Sequence, residues 1–260
     1  MSLSPKSFRG RIIVGHHAIR ESLLVAAHGA VELWIREEPT DRRRAVTDPN
    51  SLEALAETMG VTLVRKSDAA LQQVTPAHQG AILWQTWTPE FPSFKDLQQM
   101  ETCTLVLLDG VEDPHNLGAI LRTAWLMGVR GVYVREHQAV HLTPAVHKVA
   151  SGACEHVPLE ICPRFESVVE ELKTIGFWVY ALSHEASSSL YEMKFPEKVL
   201  FCLGAEEKGL RHTTLKLSDE RISIPQSVAD ASYNVSVAHG IVLGERYRQL
   251  HGYTAKRTSL

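Results

Sequence analysis

The stretch from Leu105 to Val134 constrains the fold more than any other, because it reads as strand, polar turn, helix and strand in succession. Leu105 to Leu108 form an unbroken apolar run, as expected of a strand buried on both faces, and Val132 and Val134 open a second one. Between them, Asp113 and Pro114 disfavour helix, and Asn116 is the expected cap of a helix starting at Leu117. That helix would align Leu117, Ile120, Leu121 and Ala124 on one face. Two strands joined by a crossover helix form a βαβ unit, so a parallel sheet is expected.

Asn116 and Arg122 flank the small residues Gly118 and Ala119, which let backbone or ligand approach a helix N-terminus that favours anions. The arrangement suits a phosphate or nucleotide seat. It also suits a capped crossover helix with a solvent-facing Arg, and by itself the stretch favours that plainer reading.

Upstream, short strands expected at 12–14, 31–35, 61–64 and 81–87 alternate with helices at 16–28, 52–59 and 68–73, enough for a small α/β domain. Pro89 and Pro92 interrupt the pattern and mark a linker. Downstream, strands at 157–161, 177–182, 199–203 and 221–224 and helices at 144–151, 165–175 and 235–250 predict an open α/β sheet of five or six mostly parallel strands. The expected limits are a first domain at 8–87, a linker at 88–102 and a second domain at 103–255.

With 260 residues and 44% hydrophobic content the chain can bury a sizeable core. No run of eighteen or more apolar residues is present, and the N-terminus lacks the apolar core of a signal peptide, so no membrane partner and a cytoplasmic location are expected. Cys103, Cys154, Cys162 and Cys202 lack paired zinc-ligand spacing and read as reduced, buried thiols. His16 with His17, His137 with His141, and His184 lack the H-E-x-x-H arrangement, so no metal is expected. A net charge of -3 argues against a strongly basic nucleic-acid binder. Arg42, Arg43 and Arg44 form a local basic patch that reads either as a solvated loop tip or as an RNA contact.

Ligands of open α/β sheets bind beyond the carboxyl ends of the strands, where loops 109–116, 204–209 and 225–234 fall. The second loop has the glycine separation of a phosphate-binding P-loop, but Leu210 and Arg211 stand where Lys and then Ser or Thr are needed. Neither G-x-G-x-x-G nor G-x-S-x-G occurs, so ATP, NAD and serine-hydrolase chemistry are poorly supported.

Taken together, DPHNLGAILRTA (113–124), LGAEEKGL (203–210) and IPQSVADASYNVSVAHGI (224–241) resemble the three ordered signature motifs of the SpoU/TrmH branch of the SPOUT methyltransferases. VGHHAIRESL (14–23) and HQGAIL (78–83) resemble the substrate-binding domain of ribosomal-RNA 2′-O-methyltransferases in this branch, so the likeness spans nearly the whole chain. It implies an L30e-like RNA-binding domain followed by a trefoil-knotted α/β SPOUT domain, acting as a homodimer. The implied activity is methyl transfer from S-adenosylmethionine to a ribose 2′-hydroxyl of RNA, with a guanosine of large-subunit (23S) rRNA as substrate. A tRNA 2′-O-methyltransferase is the alternative, and a non-catalytic RNA-binding or ribosome-assembly protein is the rival from another class.

By the motifs, Leu203, Gly204, Ile224, Pro225 and Tyr233 would line the cofactor pocket, largely through backbone atoms. Asn116, Arg122, Glu206, Ser232 and Asn234 would form the catalytic and substrate-positioning set. A guanidinium is effectively never deprotonated, so Arg122 is expected to place the adjacent phosphate or stabilise the developing alkoxide, with Glu206 orienting it. Three positions depart from the family pattern: Glu207 and Val228 stand where glycine is usual or frequent, and Tyr233 where leucine is usual.

Overall fold

The computed structural model describes residues 8–37, 48, 50–136, 141–205, 208–228 and 231–252, which fall into two compact units. The patch at Arg42 to Arg44, the Glu206 and Glu207 positions, and His137 lie outside the described residues.

The first unit comprises Met1–Glu90, Leu117–Arg122 and Val140–Pro158. Its chain runs β1 (Arg11–Val14), α1 (His16–Ala26), β2 (Ala30–Arg36), α2 (Leu52–Thr58), β3 (Thr62–Lys66), α3 (Asp68–Val74) and β4 (Ala81–Gln85). The sheet order is β1-β4-β2-β3, with β4 antiparallel to β1 and β2, and β3 parallel to β2. Ser51 and Ser67 start α2 and α3 by accepting from the amides of Ala54 and Ala70. Strand alternation sends Ile13, Leu33 and Leu83 into one cluster with Ile19 and Leu23, and Val14, Trp34, Ile82 and Trp84 into another with Leu71. Arg11 grips the buried Glu155 carboxylate through two hydrogen bonds of 2.9 and 2.8 Å.

The second unit comprises Phe91–Asn116, Thr123–Ala139 and Leu159–Leu260. From residue 91 onward the chain forms α4 (Phe94–Gln99), β5 (Cys103–Asp109), α5 (Pro114–Leu126), β6 (Gly131–Arg135) and α6 (Pro144–Ala150), the last within the first unit's residues. There follow β7 (Leu159–Cys162), α7 (Phe165–Thr174), β8 (Trp178–Leu182), β9 (Ser188–Ser189), β10 (Lys198–Gly204), α8 (His212–Leu217), β11 (Glu220–Ser223) and α9 (Val235–Leu250). The strands order as β7-β6-β5-β10-β8-β11-β9, and every neighbouring pair is parallel. All seven residues of β5 are buried, and the apolar run Leu105 to Leu108 fills its centre, as a strand in a sheet interior requires. Leu105, Leu107, Tyr133, Phe165, Val179, Leu200 and Cys202 pack into one core cluster.

Two expectations need correction. Helix α5 begins at Pro114, capped by Asp113, whose carboxylate accepts from the His115 amide at 3.0 Å. Proline at the first helical position loses no hydrogen bond, so the Asp-Pro pair starts the helix instead of delaying it, and Asn116 sits inside the first turn. Among the described residues the sheet has seven strands instead of five or six. The unforeseen β9 is two serines long and carries no apolar alternation to announce it. The buried face of α5 is as expected, with Leu117, Ile120, Leu121 and Ala124 inaccessible. Helix α9 spans 235–250 as read from the sequence.

Candidate functional site

At the carboxyl ends of β8, β10 and β11 lies a cavity of about 650 Å³. Leu203, Gly204, Ala205, Gly209 and Leu210 form one wall, and Ile222, Ile224, Ser232 and Tyr233 another. Ala205 and Gly209 are joined by reciprocal backbone bonds, the Gly209 amide to Ala205 O at 2.9 Å and the Ala205 amide to Gly209 O at 3.2 Å. A side chain at Gly204 would collide with the backbone of Gly209 and Leu210, so only glycine lets that segment pack onto the end of β10. Backbone therefore supplies much of this wall.

Opposite, the chain leaving β11 turns back on itself. Gln226 Nε2 donates to Val228 O at 2.8 Å and Ala231 O at 2.6 Å, while Tyr233 Oη donates to Pro225 O at 3.3 Å. Four of the five expected pocket residues, Leu203, Gly204, Ile224 and Tyr233, line the cavity together with Ser232. Pro225 is not among the lining residues; its carbonyl accepts from the Tyr233 hydroxyl.

Asn116, buried in the first turn of α5, accepts from Asn234 Nδ2 at 3.0 Å. Asn234 is also the N-cap of α9, its Oδ1 accepting from the Ser236 amide at 2.9 Å and the Ser236 hydroxyl at 2.6 Å. The cavity residues Tyr233 and Val235 flank it in sequence. Arg122 is exposed near the far end of α5, within 3.5 Å of Ser151 Oγ. Gly118 packs against α6, where an added Cβ would lie 2.6 Å from Val149 Cβ, so this small residue serves helix packing.

Reading from the sequence missed the segment 182–185, whose Leu182, Ser183, His184 and Glu185 line the cavity just past β8. The strand-end rule applied to this fourth loop was the available signal. All four cysteines are free and buried, and burial pushes Cys103 up to about 11 and Cys162 and Cys154 up to about 12. Cys202, adjacent to the cavity in sequence, is likewise pushed up by burial and stays a thiol. Among the described residues no group of three His, Cys, Asp or Glu side chains is placed to hold a metal ion, and no helix is long and apolar enough to cross a membrane.

A parallel sheet with a nucleoside-sized cavity at its strand ends, walled by glycine-bearing backbone, defines an α/β domain built to hold a small cofactor. The chain belongs to the SpoU rRNA Methylase family, whose profile matches residues 104–244. It is 36% identical over 241 residues to the 23S rRNA (guanosine-2′-O-)-methyltransferase RlmB of Nitrosomonas europaea, covering 91% of each chain. It is 35% identical over 244 residues to the enzyme of the same name from Shewanella oneidensis, covering 92% of this chain and 97% of that one. In fold it is similar to the SpoU methyltransferase AviRb of Streptomyces viridochromogenes, solved in complex with the cofactor AdoMet, with a TM-score of 0.76 at 20% identity over 94% of this chain and 91% of that one.

Proposed function

We propose that this protein methylates the ribose 2′-hydroxyl of a guanosine in 23S ribosomal RNA, with S-adenosylmethionine as methyl donor. The observation that carries the reading is likeness, over 91–92% of the chain, to relatives named for that reaction, in a chain that also has the motif-bearing cavity. The cavity fits the cofactor: its size suits a nucleoside, Gly204 keeps one wall free of side-chain bulk, and Leu203, Ile222 and Ile224 offer apolar surface. When bound there, S-adenosylmethionine would supply an electrophilic methyl group.

The protein's own task is to hold the ribose and stabilise the charge that develops on its oxygen. Asn116, Ser232 and Asn234 are neutral hydrogen-bonding groups suited to orienting the hydroxyl. A guanidinium is no general base, so the role assigned to Arg122 is to stabilise the alkoxide or grip the neighbouring phosphate, and another group must take the proton. Glu206 completes the polar set by its place in the second motif.

The first domain, 8–87, is assigned the choice of RNA. Reversing Arg42, Arg43 and Arg44 to Glu should weaken RNA binding, more at low salt than at high salt. The working unit is assigned as a homodimer. Val235 and Val242 of α9 are buried in the chain's own core, whereas Val237 is exposed and available to a second copy. Light scattering should give twice the chain mass.

The deciding experiment maps 2′-O-methyl groups in RNA from cells with and without the protein. Loss of one guanosine methyl from 23S rRNA is expected. Loss from tRNA would move the assignment to a tRNA enzyme, and no loss would indicate a non-catalytic protein.

A further inference from the structure

We propose that Asp109 is a positioning residue for the cofactor site, setting Gly209 and Leu210 in one wall of the cavity. The inference rests on the functional reading above and extends it to a residue outside the three motifs.

Asp109 ends β5, and its carboxylate is buried. Oδ2 accepts from the Arg211 amide at 3.1 Å and from the Thr214 hydroxyl. Oδ1 faces Arg135 Nη1 at 3.3 Å and Arg211 Nε at 3.4 Å. Arg135 is itself held by Glu166 at 2.6 Å and lies over the Phe165 ring, so it presents a fixed charge. A carboxylate removed from water needs this many donors, and each holds the residue that carries it.

The consequence falls on the cavity. At its entry the wall begins with the end of β10, whose Gly204 pairs with Asp109 in the β5–β10 register. At its exit Leu210 lines the cavity, and the next residue, Arg211, is anchored by backbone and side chain to Asp109. Thr214, in the first turn of α8, is tied to the same oxygen. Thus one buried charge fixes where Gly209 and Leu210 stand relative to the sheet. In the other direction Asp109 leads through Gly110, at φ +90°, into the turn before α5.

Asp109→Asn keeps the shape but removes the charge and sets an NH₂ group against donors. The cavity wall should loosen, and calorimetric affinity for S-adenosylmethionine and its demethylated product should fall by about tenfold or more, as expected for losing charge-assisted bonds. Single-turnover methylation at saturating cofactor should stay within about threefold of wild type, because the RNA-facing groups are untouched. Thr214→Val should weaken cofactor binding in the same direction, and Thr214→Ser, which keeps the hydroxyl, should restore it. The threonine pair carries the test if Asp109→Asn does not fold.

A purely structural Asp109 would lower the melting temperature without changing cofactor affinity. That result, or equal affinities for Thr214→Val and Thr214→Ser, overturns the inference while leaving the function standing. Absence of S-adenosylmethionine binding by the wild-type chain overturns the functional reading and the inference with it.

Discussion

Asn234 donates its side-chain amide to Asn116 Oδ1 across 3.0 Å, while its own Oδ1 caps α9 by accepting from Ser236. One side chain thus ties the first turn of α5 to the start of a helix 118 residues away in sequence. Its structural and chemical roles are separable.

Asn234→Ala removes both functions. Cap loss costs about 1 kcal/mol, which should lower the melting temperature by roughly 2–4 °C, and the methylation rate should fall as well. Asn234→Ser retains a capping oxygen but cannot donate an amide to Asn116. It should recover the melting temperature but not the rate; full activity in the serine variant would show that the amide pair is dispensable.

Arg122→Ala should lower single-turnover methylation by on the order of a hundredfold, comparable with losing one preorganised oxyanion donor. Because Arg122 is exposed and its bond to Ser151 is long, at 3.5 Å, the melting curve should hardly move. Arg122→Lys should recover only part of the rate, since an ammonium lacks the planar fork. A near-normal alanine variant would return Arg122 to the status of a surface charge.

The Arg11–Glu155 pair is the strongest test of the first unit's stability, with side-chain exposures of 10% and 1%. Glu155→Ala strands a nearly buried guanidinium and should cost about 3–5 kcal/mol. Arg11→Met combined with Glu155→Leu removes both charges and should recover most of the loss. Urea unfolding of the wild type, Arg11→Met alone, Glu155→Leu alone and the double variant, read as a double-mutant cycle, measures the coupling; additive losses would mean the pair contributes nothing jointly.

Both ring nitrogens of His147 and of His239 are buried without a hydrogen-bond partner among the described residues. Burial pushes each imidazole down to about 3 from 6.5, with the Arg11 charge adding to the effect at His147. Between those values the unfolded chain binds protons that the folded chain refuses, so stability is full above pH 6.5 and is lost as pH falls toward 3. The slope should reach about 1.4 kcal/mol per pH unit for each histidine. His239→Leu should remove one proton's worth of that slope in urea midpoints measured between pH 7 and 5; an unchanged slope would show that His239 does not titrate on unfolding.

Much of the architecture was legible in the sequence because its determinants are local. The apolar run of β5, the helical spacing of Leu117, Ile120, Leu121 and Ala124, and the limits of α9 follow from patterns repeating every few residues. The motif residues were legible as types, and Leu203, Gly204, Ile224, Ser232 and Tyr233 meet around one cavity. What tertiary structure decided was the company these residues keep. Asp109 meets Arg211 and Thr214 across 102 and 105 residues, and the loop after β8 joins the cavity only because β8 lies between β10 and β11. Strand order is chosen by long-range packing of faces that look alike in sequence, and a buried carboxylate finds its donors only after that order is set. Even the start of α5 turned on which of two capping residues, Asp113 or Asn116, the closed loop placed at the helix end.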